Sequence, residues 1–240
     1  MLAGTGEAPR FALSGRHDLT KVAHSKADAV YGELKEAIHS GSLEPGSLID
    51  KTGLCEKLRV SRFPVSAAVS RLAYDRLVDV APQHGSFVAR ISLNDARERL
   101  FIRSALEGEI AAEAARRMTR ADRDALAANL RQEVAAVADE DRAAFYALDV
   151  AFHRILTARL GMARANDVLD SLRVHLERTR RLTMSPPGRL CATLKEHAAI
   201  AAAIEAEDAA AAREAMKHHL STTGALLDAL AKQQPGLFSP

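Results

Sequence analysis

The stretch "VSRFPVSAAVSRL", residues 60–72, opens with a helix-capping residue and places Pro64 inside the first turn that follows. The proline costs nothing there, because the first four N–H groups of a helix have no internal acceptor, and Ser61 is a suitable N-cap. A helix is therefore predicted from about Arg62. Val65, Ala68, Val69 and Leu72 fall at i, i+3, i+4 and i+7 and face inward. Arg62, Ser66 and Ser70 remain on the outer stripe, which is small, polar and basic.

The flanks give this helix its context. Upstream, "KADAVYGELKEAIHSGSLEPGSLI" predicts a helix with Val30, Leu34 and Ile38 on one stripe, ended by Gly41 and followed by a turn at Pro45-Gly46. A short second helix is predicted near residues 53–58. Downstream, "LVDVAP" and "SFVARI" are β-prone runs joined by Gln83-His84-Gly85, which reads as a hairpin. Three helices and a hairpin over residues 24–91 describe a winged helix-turn-helix, with the third helix in the DNA major groove and the hairpin beside the phosphates. The candidate DNA contacts are Lys51, Arg62, Phe63, Ser66, Ser70, Arg71, His84 and Gly85. Small serines let a helix approach base edges, Arg62 can reach a guanine or a phosphate, and Gly85 lets the wing tip lie against the backbone. The same fold can serve as a protein-interaction module, but an exposed Ser/Arg face suits nucleic acid better than a dry interface.

Composition agrees without deciding. A chain of 240 residues with 48% apolar content can form one large or two modest cores. No apolar run approaches the roughly 18 residues of a membrane span, and the first residues lack the basic-then-apolar pattern of a secretion signal, so a cytoplasmic protein with no membrane partner is expected. Cys55 and Cys191 are far apart and read as reduced thiols. The net charge of +2 is too small to argue for nucleic acid by itself. Its distribution says more: residues 51–90 hold seven basic side chains against three acidic ones. Residues 1–23 mix Gly, Pro, Ser and charge without apolar period and are expected to be a mobile arm.

Residues 92–240 change texture to an Ala-rich helical pattern. Six helices are predicted, at about 94–118, 120–138, 140–160, 164–182, 189–206 and 208–232, so the fold class is mostly α: a winged helix-turn-helix plus an all-α antiparallel helical bundle. Dimerisation alone would explain the amphipathic stripes. Four residues resist that account. Asp149 and His153 lie one turn apart on an inward stripe with Leu156 and Leu160. His197 shares a stripe with Leu194, Ala201 and Ile204, and His219 with Met216 and Leu226. A buried carboxylate needs partners, and three imidazoles converging on it would form a site for a divalent transition metal. Taken singly, a histidine of this kind is more often a satisfied core or surface residue than a ligand; the set of four is what points to a metal.

Residues 30–89 resemble the DNA-binding domain of GntR-type bacterial transcription regulators, in G-x-L-x-P-G, L-x-V-S-R-x-P-V, L-V and G-x-F-V. Two positions depart from that family: Ser66 stands where an arginine is usual, and Arg76 where a glycine is usual. The first implies an altered operator sequence. "FIRSALEGEIAAEAA", "LDVAFHRIL" and "EHAAIAAAIEAEDAAAAREAMKHHL" are similar to the FadR C-terminal domain, FCD, in its shorter, six-helix variety. The resemblance implies metal ligands at Asp149, His153, His197 and His219, with Zn, Ni or Mn as the ion, and an effector pocket for small carboxylates at Arg103. His218 should not join them, because neighbouring residues point about 100° apart on a helix. Arg103 has a second reading, an i, i+4 pair with Glu107. Together these imply a homodimeric, metabolite-responsive regulator of a palindromic operator, a repressor rather than an activator and not an enzyme. The competing readings are an all-α metalloenzyme and a structural protein without an effector.

Overall fold

The computed structural model describes residues 25–239, and the arm expected at residues 1–23 lies outside them. The described residues form two compact units, residues 25–92 with 234–239, and Leu93–Gln233.

In the first unit α1 (Lys26–His39), α2 (Lys51–Leu58) and α3 (Arg62–Tyr74) precede the hairpin of β1 (Val78–Ala81) and β2 (Gly85–Val88). The Asp50 side chain caps α2 by accepting from the N–H groups of Thr52 and Gly53, both at 3.0 Å. Ser61 occupies the N-cap of α3 but makes no side-chain cap bond, so Pro64 and core packing set that helix start. Val65, Ala68, Val69 and Leu72 are buried against Val30, Leu34, Ile38, Leu54 and Leu58. Helix α3 ends in a left-handed turn: Arg76 has φ +57°, its N–H donates to Ala73 O, and the N–H of Leu77 donates to Leu72 O. Glycine is favoured at such a position, which explains why Arg76 is the unusual residue there. Arg76→Gly is expected to stabilise the protein by about 0.5–1 kcal/mol, the left-handed strain removed less the extra freedom glycine gives the unfolded chain. A raised urea midpoint at constant m-value checks it.

The wing is broader than a hairpin. Val78 pairs with Val88 and Ala81 with Gly85 on one edge of β2. On the other edge the N–H groups of Gly46 and Ile49 donate to Val88 O and Ser86 O, and the N–H of Val88 donates to Ser47 O. Gly85 has φ +122°, a backbone conformation that favours glycine, and a Cβ there would also push against Leu48 Cδ1 at 2.7 Å. A second feature is absent from the sequence reading: β3 (Ile91–Ser92) pairs in parallel with β4 (Phe238–Ser239), and Arg90 Nε donates to Gly236 O at 3.1 Å. Residues 91–92 are therefore a strand followed directly by the next helix, and Phe238–Ser239 belong to this unit. Strands of two residues have no alternation to read.

The second unit is the six-helix bundle α4 (Leu93–Arg117), α5 (Arg120–Ala138), α6 (Arg142–Arg159), α7 (Ala163–Met184), α8 (Arg189–Glu205) and α9 (Ala209–Gln233). Each predicted helix is present, with ends within two residues. Thr119 and Asp122 form a capping box at α5, and Asp141 caps α6 through Ala144 N. Helix α9 packs along α4 and α8, and α5 packs against α6 and α8. Ala111, Ala114 and Ala115 are fully buried, which lets the backbones approach around Phe152, Leu156, Ile200, Ile204 and Met216.

Candidate functional site

On α3 the inward positions leave Arg62, Phe63, Ser66 and Ser70 exposed, Phe63 at 81%. His84 and Gly85 are exposed at the wing tip, and Lys51 is half-buried at the start of α2. Arg62 makes no ion pair with any described residue. Arg71, although exposed, is engaged inside the unit: its Nη1 lies 2.8 Å from Asp28 Oδ1 and its guanidinium lies 4.0 Å from the centre of the Tyr31 ring. A phosphate at Arg71 would compete with Asp28. Restoring the usual arginine by Ser66→Arg adds a donor fork to the exposed face and is expected to change the preferred operator without abolishing binding. Selection from randomised sites checks it, and an unchanged preference would remove Ser66 from the base-reading face.

In the bundle, Asp149 and His153 on α6, His197 on α8 and His219 on α9 are all buried, and one ligand atom from each lies within 4.8 Å of the others. His218 is exposed. Each imidazole is held from behind by a carboxylate. Glu133 on α5 accepts from His197 Nδ1, with its oxygens at 2.9 and 3.1 Å. Glu196 Oε2 accepts from His219 Nδ1 at 2.7 Å, and Glu107 Oε2 lies 2.5 Å from His153 Nδ1. Carboxylates at Nδ1 fix the tautomer and aim Nε2 inward, as backing groups do in metal sites. Asp149 accepts from Arg180 Nη1 at 2.7 Å through Oδ2, which leaves Oδ1 facing His197 Nε2 at 3.7 Å.

The charge states suit a cation. Burial pushes His153 down to about 4 and lowers His219 as well, so both rings are neutral at pH 7. Burial alone would raise Asp149, but Arg180 and the imidazoles reverse this and hold the carboxyl far below its usual range. Glu196 is likewise raised by burial and then held down at about 2 by hydrogen bonds from His219 and Arg189. Neutral imidazoles and an ionised carboxylate are the forms that bind metal. His197 Nε2 is buried without a hydrogen-bond partner, an orphaned lone pair that a divalent ion would satisfy.

A small cavity, partly open to solvent, adjoins the cluster, with Arg103, Arg180 and Arg189 among its polar lining residues and Leu100, Leu176 and Leu220 among its apolar ones. Arg103 is buried and donates through Nε to Glu107 Oε1 at 2.6 Å. Arg103 thus makes the i, i+4 pair with Glu107 and is also among the residues that line the cavity.

Glu133, Arg180 and Arg189 were not singled out from the sequence. Glu133 did carry a signal, since it shares the inward stripe of α5 with Leu126, Asn129 and Ala136, where a carboxylate needs a buried partner. Glu133→Leu is expected to lower metal affinity about 10–100-fold, the usual loss when a ligand's backing group is removed. Competition with a calibrated chelator measures it, and unchanged affinity would show that Glu133 does not position His197.

Residues 26–88 match the sequence profile of bacterial regulatory proteins of the gntR family, and residues 98–222 match the FCD domain. The chain is 30% identical over 213 residues to the HTH-type transcriptional repressor RspR of Escherichia coli K12, covering 88% of this chain and 92% of that protein. It is 27% identical over 216 residues to the galactonate operon transcriptional repressor of the same organism, over 80% and 92% of the two chains. Among solved structures, a GntR-type regulator from Rhodococcus sp. RHA1 superposes with a TM-score of 0.68 at 24% identity, over 86% of this chain and 99% of that one. E. coli McbR/YncC superposes with a TM-score of 0.63, also at 24% identity, over 88% and 99%. The structural likeness concerns the fold. No helix among the described residues is long and apolar enough to cross a membrane.

Proposed function

Because the chain belongs to the GntR family of bacterial regulatory proteins, in the group that carries an FCD domain, it is a DNA-binding transcription regulator and not an enzyme; we propose that it is a homodimeric repressor whose hold on a palindromic operator is set by a small carboxylate bound beside a metal ion. The observation that carries this reading is the convergence of Asp149, His153, His197 and His219, three of them backed by carboxylates, next to a cavity lined in part by arginines. Asp149 and the three Nε2 atoms would hold the ion, which when bound supplies a Lewis-acidic anchor for a carboxylate. Arg103 meets Glu107 through Nε, so its terminal nitrogens are the donors for that same carboxylate. RspR and the galactonate operon protein are both named as repressors, which favours repression over activation here. A two-fold dimer presents two recognition helices to two half-sites.

For the effector to act on DNA it must bind one arrangement of the protein better than another, and moving from mostly bound to mostly released takes about 5.5 kcal/mol of differential affinity. The test is a mobility-shift assay on the DNA upstream of the protein's own gene and its neighbours, with metal-loaded and metal-stripped protein, each with and without a panel of small carboxylates. Release that requires both metal and acid supports the reading. Operator binding indifferent to every acid and to the metal would leave the bundle as a structural dimerisation module.

A further inference from the structure

Helical threonines commonly donate their hydroxyl proton to a carbonyl about one turn back. Two threonines of the cavity do so: Thr183 Oγ1 donates to Arg180 O at 3.1 Å, and Thr223 Oγ1 to His219 O at 3.4 Å. Thr179 on α7 and Thr193 on α8 do not. Each is 1% exposed, lines the same cavity, and has a buried hydroxyl oxygen with no hydrogen-bond partner. A buried hydroxyl without a partner carries its desolvation penalty uncompensated, so two of them on different helices around one cavity point to a partner supplied by a ligand.

The cationic groups of the cavity define the rest of that ligand. Arg180 gives Nη1 to Asp149 and Tyr146 O, and Nε and Nη2 to Glu177. Arg189 gives one Nη to each oxygen of Glu196, both at 2.8 Å. Arg103 alone of the three is held through a single nitrogen, Nε. One ligand carboxylate therefore has a guanidinium to meet, and a second would be buried against arginines already committed to protein carboxylates, which is unfavourable. Hydroxyl groups, which donate and accept at once, match Thr179 and Thr193. Resting on the reading of this cavity as the effector site, we infer that the effector is a monocarboxylate bearing several hydroxyls, an aldonate-type sugar acid, whose hydroxyls are hydrogen-bonded by Thr179 and Thr193.

Calorimetric titration of the metal-loaded full chain with six-carbon probes tests this: a set of aldonates differing in configuration, hexanoate, and adipate. At least one aldonate is expected to bind, with hexanoate and adipate weaker by about 100-fold or more, because a site built for hydroxyls is left with unpaired groups by an analogue that lacks them. Thr179→Val and Thr193→Val keep the side-chain shape, and each should weaken the aldonate about 5–10-fold, the loss of one hydrogen bond. Neither should lower the Tm of the ligand-free protein, since a methyl replaces an unpaired hydroxyl. Hexanoate or adipate binding as tightly as the best aldonate, or valine variants with undiminished aldonate affinity, would overturn the hydroxyl assignment while leaving the effector site in place. If no probe of any class binds the metal-loaded protein, the effector site itself is refuted, and this inference with it.

Discussion

His197→Ala is expected to yield protein that purifies without metal and no longer changes its DNA affinity with metabolite. The ring offers Nε2 to the cluster, gives Nδ1 to Glu133 and stacks on Phe152 with centroids 4.1 Å apart and planes 1° from parallel. Losing the ligand itself should cost more than the roughly 10–100-fold expected for losing a backing group. The alanine change also strands Glu133, which is 0% exposed, and opens a gap beside Phe152, so stability falls for a second reason. His197→Asn separates the two effects, because its amide can still donate to Glu133 while offering nothing at the Nε2 position. Elemental analysis gives the metal content, and thermal melts with and without chelator give the linkage: a metal present at a thousand times its Kd stabilises by about 4 kcal/mol. Chelation should lower the Tm of the wild type and leave both His197 variants unmoved. His219→Ala should behave like His197→Ala, and His218→Ala like the wild type. A His218 variant that loses metal while the His219 variant keeps it would overturn the site, as would a metal-free protein that still responds to its effector.

Arg62→Ala is expected to weaken operator binding by about 1–3 kcal/mol, roughly 5–150-fold, with relaxed preference at one base pair if the guanidinium reads a base edge. If it meets only phosphate, the loss is uniform across sequences and the salt slope falls by about one. The exposure of Arg62 at the N-terminal end of α3, without an ion pair to any described residue, distinguishes it from Arg71, which Asp28 and Tyr31 already hold. Fluorescence-anisotropy titrations at several salt concentrations separate the outcomes. Full affinity and unchanged preference would remove α3 from the major groove.

The sequence by itself determined the helices, the wing hairpin and their inward faces. Pro64 and the Val65/Ala68/Val69/Leu72 stripe marked α3, Gly85 marked the wing turn, and the apolar spacing located all six bundle helices, because helix periodicity and turn chemistry are local properties read within ten or so residues. It also placed Asp149 with His153 on one face, since they share a helix, and separated His218 from His219 by the 100° step. Only the tertiary structure decided which faces meet. His197 and Glu133 are 64 residues apart, Asp149 and Arg180 are 31, and Thr179 and Thr193 sit on different helices facing one cavity. The pairing of β2 with residues 46–49, and of β3 with β4 across most of the chain, was decided the same way. Spacing within a helix says that a polar side chain points inward; which group answers it depends on how the helices pack, and packing is fixed by the whole core at once.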